Sequence, residues 1–71
     1  MTNAAAHHAE VFYIDPQTGW AAALYDSEGN QVGDAGFAFH KFTAKWYAQK
    51  MAKGRPVIVF KKDGTLHHII D

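Results

Sequence analysis

The chain alternates short runs of β-branched and aromatic residues with clusters of turn formers. Val11, Phe12, Tyr13 and Ile14 make the first run, a strand signature. Asp15, Pro16, Gln17, Thr18 and Gly19 follow as turn chemistry, because Pro presets φ and Gly accepts positive φ. Residues 20–25 predict a second strand with Trp20, Ala22 and Leu24 on one side. Ser27, Glu28, Gly29 and Asn30 turn the chain again. Residues 31–38 predict a third strand, in which Gly33 and Gly36 mark a bulge or a close approach.

The period changes after residue 38. A helix is expected from Phe39 or Thr43 to Lys53, with Gly54 and then Pro56 as its stop. Residues 57–60 predict a fourth strand. Asp63-Gly64 favours a type I′ hairpin turn, and residues 65–70 return as a fifth strand. The order β-β-β-α-β-β predicts an α+β fold: a single antiparallel sheet with one helix packed on one face. Residues 1–9 read as a flexible tail and residues 10–71 as one domain.

Placed at 100° per residue, Ala44, Tyr47, Ala48 and Met51 share one helix face, with Ala52 at its edge. Phe39, Phe42 and Trp46 lie opposite, beside Gln49 and Lys53. Small alanines permit close packing, so the Ala/Met face is assigned to the sheet and the aromatic stripe to the outside. A start at Thr43 would instead tuck Phe39 and Phe42 into the core. Exposed aromatics of this kind mark an interface. The candidate interface is therefore Phe39, Phe42, Trp46, Gln49 and Lys53.

The last hairpin raises the same issue. Its turn sets Ile58 opposite Ile69 and Phe60 opposite His67 on one face, and Val57 opposite Ile70 and Val59 opposite His68 on the other. Both faces are largely apolar, and one helix covers one of them. The N-terminal segment or a second copy is expected on the other face. A twofold homodimer is the simplest closed solution.

With 71 residues the chain has room for one small domain, whose own core supplies roughly 3–5 kcal/mol. The absence of cysteine excludes disulfides, thiolate chemistry and zinc-finger motifs. No apolar run approaches the roughly 20 residues that span a bilayer. The N-terminal stretch lacks the Lys or Arg of a secretory signal, so a cytoplasmic protein is expected.

The formal net charge is zero, which argues against a generic polycation. That zero is a sum of opposites. All seven positive residues (Lys41, Lys45, Lys50, Lys53, Arg55, Lys61 and Lys62) fall in one window, and no Asp or Glu lies between residues 35 and 62. Glu10, Asp15, Asp26, Glu28 and Asp34 precede it. The basic window with Phe42 and Trp46 is similar in composition to nucleic-acid surfaces. Alternatively, the positive half neutralises acidic hairpins of its own fold or of a second copy.

Catalytic chemistry finds little footing. Ser27 is the one serine, and no nucleophile elbow surrounds it. Asp26 and Glu28 pair two carboxylates, but in a turn that needs polar residues anyway. Among five histidines, His7 and His8 sit in the tail, His40 has no companion at ligand spacing, and His67 and His68 should point to opposite sheet faces. No catalytic residue, metal or cofactor is expected.

Gly19-Trp20-Ala21, the helix alanines Ala44, Ala48 and Ala52, Val57-Ile58-Val59 and Lys62-Asp63-Gly64-Thr65-Leu66 together resemble a family of small bacterial and phage domains of unknown function. In this chain Phe42, Lys45 and Trp46 replace that family's acidic and alanine residues of the early helix. The outline is also similar to the arm-binding domain of phage-type integrases, which reads DNA with its sheet but stops at the helix. It is similar again to small phage-encoded inhibitors of CRISPR defence. That likeness implies a non-enzymatic protein that binds a host protein complex, with Asp15, Asp26, Glu28 and Asp34 as a surface mimicking nucleic acid. The leading expectation is a protein-interaction module. The alternative is a nucleic-acid-binding accessory module using Lys41, Lys45, Lys50, Arg55, Lys61 and Lys62.

Overall fold

The computed structural model describes residues 5–71. The elements run β1 (His8–Asp15), β2 (Gly19–Tyr25), β3 (Gln31–Ala38), α1 (Lys41–Ala52), β4 (Val57–Phe60) and β5 (Leu66–Ile70). The predicted order holds, with α1 starting between the two expected positions. Strand β1 reaches back to His8, two residues into the segment read as tail. The His7 amide donates to Tyr25 O and the Ala9 amide to Pro56 O, so this stretch is held in place. Residues 1–4 of that tail lie outside the described residues.

The five strands form one sheet in the order β3-β2-β1-β4-β5. The expectation of an all-antiparallel sheet is corrected here, because β1 and β4 pair in parallel, with Ala9, Glu10 and Val11 opposite Val57, Ile58 and Val59. The reason is the helix. Two tight turns make β1, β2 and β3 alternate in direction. Twelve helical residues then carry the chain back about 18 Å, to the end where β1 began. Strand β4 must therefore run with β1, and it takes β1's free edge.

Side chains alternate across this sheet. Ala9 and Val11 of β1, Trp20 and Ala22 of β2, and Val57 and Val59 of β4 point toward α1 and are buried. Ala44, Ala48 and Ala52 meet them from the helix, all essentially inaccessible. Tyr47 and Met51 pack at the margin. The Ala/Met face thus rests on the sheet as the periodicity requires. At Gly36 a side chain would come within 3.2 Å of the Met51 methyl, so this glycine does mark a close approach.

The opposite sheet face carries Phe12, Ala21, Phe37, Ile58 and Ile69. No other element of the described residues lies over it. Phe37 and Ile69 are each more than half exposed. His8 and Glu10 are polar positions on this face, with Nε2 and Oε2 2.8 Å apart.

The β4–β5 turn also departs from expectation. Gly64 has φ +89° while Asp63 keeps a negative φ, so the turn is not type I′. The Gly64 amide donates to Lys61 O and the Lys61 amide to Thr65 O. This is the longer loop in which a left-handed glycine follows an ordinary turn. Its extra residue shifts the register. Val57, Ile58 and Val59 oppose Ile70, Ile69 and His68 as predicted, but Phe60 pairs with Leu66 and leaves His67 unopposed.

Gly19 closes the first hairpin at φ +88°, and a Cβ there would sit 2.6 Å from Ala38 O and 2.8 Å from Phe39 Cα. Both obstacles are backbone. Gly64 has a similar φ but open space around it. Gly64→Ala should therefore cost only left-handed strain, about 1–2 kcal/mol, and Gly19→Ala clearly more. Urea midpoints of the two variants check this, and equal losses would contradict the close approach at Gly19.

Candidate functional site

Helix α1 packs over β1, β2, β3 and β4, and its backbone stays away from β5. The helix-facing side of β5 is thereby left uncovered. Between it and the helix runs a groove of about 430 Å³ lined by Phe42, Thr43, Lys45, Trp46, Gln49 and Ile70. A smaller hollow of about 200 Å³ continues from Gln49 and Ile70 to Arg55, Val57 and Asp71. The outer edge of β5 is also free, since this strand ends the sheet.

Phe42 is 73% exposed and Trp46 53%. Their exposure follows from the alanine face, because a helix that seats alanines on the sheet turns the residues opposite them to solvent. The structure brings Phe42, Trp46 and Gln49 of the predicted interface together in the groove. Phe39 stands apart. It precedes α1, is 66% exposed, and packs edge-on against His40, which stacks on Phe42. Lys53 is also outside the groove, where it ends the helix in a left-handed conformation with its amide donating to Gln49 O. Ile70 and Thr43 line the groove without having been singled out. Ile70 was legible as a helix-facing strand residue, and it is only partly buried against the core.

The basic residues divide by role. Arg55 is structural: its Nε donates to Ala6 O at 2.8 Å and a terminal nitrogen to Ala52 O at 3.1 Å. It ties the N-terminal segment to the end of α1 and is better placed there than in a contact surface. Lys50 lies over the Trp46 ring at 4.4 Å and Lys62 over Tyr13 at 5.1 Å. Lys41 spans Trp20 on one side and His67 on the other, with Nζ 2.8 Å from His67 Nδ1. Among the described residues the one contact at ion-pair distance is His8 with Glu10, and no lysine or arginine makes one. The reading in which this chain's own acidic hairpins neutralise its lysines loses its geometric basis.

The acidic residues explain why. Asp26 is buried, and its Oδ1 accepts the Glu28 and Asn30 amides at 2.9 Å each. Those bonds, the Asn30 amide foremost, hold its carboxyl below the usual carboxylate range. Asp15 accepts the Thr18 amide and Asp63 the Thr65 hydroxyl and amide, with the same effect. Asp26 is thus a turn-holding group, and the acidic surface proposed to mimic nucleic acid shrinks to Asp15, Glu28 and Asp34. Asp34 and Glu28 sit on β3 and its turn, at the sheet edge opposite β5.

His67 and His68 also differ from expectation. The residue left unopposed in β5 breaks strict alternation, and their ring centroids lie 4.4 Å apart instead of on opposite faces. Partial loss of hydration, then the charges of Lys41, His68, Lys61 and Lys45, pushes His67 below the ordinary histidine value. His68 is lowered by partial loss of hydration, then by Lys45 and Lys41. No cluster of three metal-ligating side chains occurs among the described residues. Nor is any described helix long and apolar enough to cross a membrane.

Comparisons with protein families, curated proteins and solved structures find no match to this chain. The likeness drawn from Gly19-Trp20-Ala21 and Asp63-Gly64 is a likeness of motifs.

The lowered histidines fix a pH dependence. A base with a depressed folded value binds fewer protons when folded, so stability is lost as pH falls through the free histidine value, near 6.5, toward the lower folded one. The lowered carboxylates act at more acid pH, below their ordinary 3.8. Thermal melts between about pH 7 and 5 should therefore fall for the wild type and flatten in the His67→Gln, His68→Gln double variant. A double variant with an unchanged slope would place the titrating groups elsewhere.

Proposed function

We propose that this chain is a non-enzymatic protein-interaction module whose groove between α1 and β5 takes an extended, acidic segment of a partner protein. The observation that carries the reading is the placement of Phe42 and Trp46. Both are exposed, both line the groove with Ile70, and Lys45 lines it too, making no ion pair among the described residues. An apolar floor flanked by unpaired cations complements apolar anchors interspersed with Asp or Glu.

The free edge of β5 supports an extended occupant. A segment adding to that edge would bond through its backbone and send every second side chain toward the groove. Trp46 is the anchor that a partner side chain would pack on, the residue type most enriched at energetic centres of interfaces. Lys41, Lys45 and Lys50 would raise the rate of encounter and fix the sign of the partner.

The same lysines and rings support a second reading, in which a single strand of nucleic acid stacks on Trp46 and Phe42. Lys50 lies over the Trp46 ring and would contribute cation–π character there. Discrimination between the two is direct. A displayed random-peptide library selected on the protein should enrich sequences that combine aromatic or aliphatic anchors with Asp and Glu. Those peptides should bind Trp46→Ala at least about 30-fold more weakly, as a central hot spot requires, with the fold intact because Trp46 is half exposed. No enrichment, or equal binding to the variant, would remove the reading. An oligonucleotide gel shift that weakens steeply with salt and vanishes in Lys45→Glu, Lys53→Glu would replace it with the second.

A further inference from the structure

One corner of the molecule gathers positive and titratable groups from three places in the chain. Lys41 and Lys45 come from the first turns of α1, Lys61 from the end of β4, and His67 and His68 from the irregular start of β5. We propose that these five residues form a binding site for a sulfate- or phosphate-type oxyanion, whose affinity rises as the pH falls. Nothing in this depends on the groove's occupant, since a free oxyanion is enough to fill the corner.

The argument begins with one contact. A lysine ammonium has donors only, so at 2.8 Å from Lys41 Nζ the His67 Nδ1 must be the acceptor. The neutral His67 ring then carries its hydrogen on Nε2. Protonating Nδ1 would turn a hydrogen bond into two facing cations. Without an anion the corner therefore holds His67 neutral. An oxyanion reverses this, since Lys41, a protonated His67 and its neighbour can all donate to it. His68, with its ring 4.4 Å from that of His67, is close enough to join.

The other charged groups nearby leave the site open. The Asp63 carboxylate at the β4–β5 turn is occupied by the Thr65 hydroxyl and amide. Asp15 is occupied by the Thr18 amide. Neither makes an ion pair with Lys41, Lys45 or Lys61. Lys62 lies over the Tyr13 ring, which packs edge-on against Trp20, and Trp20 beneath Lys41 contributes a π face and no charge. Like charges crowd together here; the Asp63 carboxylate feels the Lys61 charge without forming an ion pair with it, and Lys41 is itself lowered by partial burial, then by Lys45 and Lys61.

Imidazole NMR titrations of the full chain in sulfate and in chloride, at matched ionic strength, test the proposal. Sulfate keeps its charge throughout the histidine range. The midpoints of His67 and His68 should rise by about one pH unit in sulfate, which corresponds to roughly tenfold tighter binding per proton taken up. His7, His8 and His40 serve as internal controls and should stay in place. Lys41→Met with Lys45→Met should abolish the response, with fold checked by the spectrum, and His68→Gln alone should weaken it. Competition by O-phosphoserine would identify a terminal phosphate as the fitting form, and competition by dimethyl phosphate a diester backbone. Unmoved midpoints, an equal rise in all five histidines, or an undiminished response in the lysine variant would each overturn the site.

Discussion

The packing of Ala44, Ala48 and Ala52 onto β1, β2 and β4 is the contact on which the rest of the molecule depends. The largest wholly buried side chains it encloses are Val11, Val57 and Val59. Each such valine contributes about 1.5 kcal/mol or somewhat more on burial, so the core is thin and its fit matters. A narrow interlayer space admits no Phe or Leu from the helix. The large residues of α1 are consequently displaced outward, and Phe42 and Trp46 are exposed as a direct result of how closely the alanines approach. The groove follows as well, because a single twelve-residue helix centred on β1 and β2 does not reach the fifth strand.

Periodicity and turn chemistry made much of this visible in advance. The strand spans, the helix, the Ala face and three of four pairings in the last hairpin follow from local pattern. The parallel pairing of β1 with β4 was equally implicit, since a helix that crosses the sheet returns the chain to its starting end, but an Asp63-Gly64 hairpin and three meandering strands drew attention to antiparallel neighbours. Other features lay beyond local pattern. One extra residue at Lys62-Asp63-Gly64 moves His67 out of register and brings it beside His68, which strict alternation forbids. The Ala6 carbonyl that Arg55 holds is separated from it in sequence by β1, β2, β3 and α1, and so that tie has no local signature.

The charge layout acquires a spatial meaning in the same way. In sequence the acidic half and the basic window cancel. In the fold Asp34 and the Asp26–Glu28 turn lie by β3, Glu10 and Asp15 belong to the central strand β1, and Lys41, Lys45 and Lys61 gather near β5. Asp15, Asp26 and Asp63 are engaged by backbone amides of their own turns. These carboxylates are taken up by the amides of their own turns, and among the described residues none of them pairs with a lysine.

Lys45 joins the two surfaces that remain. It stands at the rim of the groove between Phe42 and Trp46, and its charge also reaches His67 and His68. A partner segment lying along β5 would pass from apolar contact with Trp46 and Ile70 to the cationic corner within a few residues. Such a segment needs apolar anchors at one end and an oxyanion at the other. An acidic side chain at that end would couple docking to the protonation of His67, whereas a purely apolar segment would leave Lys41 and His67 facing each other as they do now. In the proposed reading the corner would select for charge at one defined end of the groove and so set the direction in which a partner chain could lie.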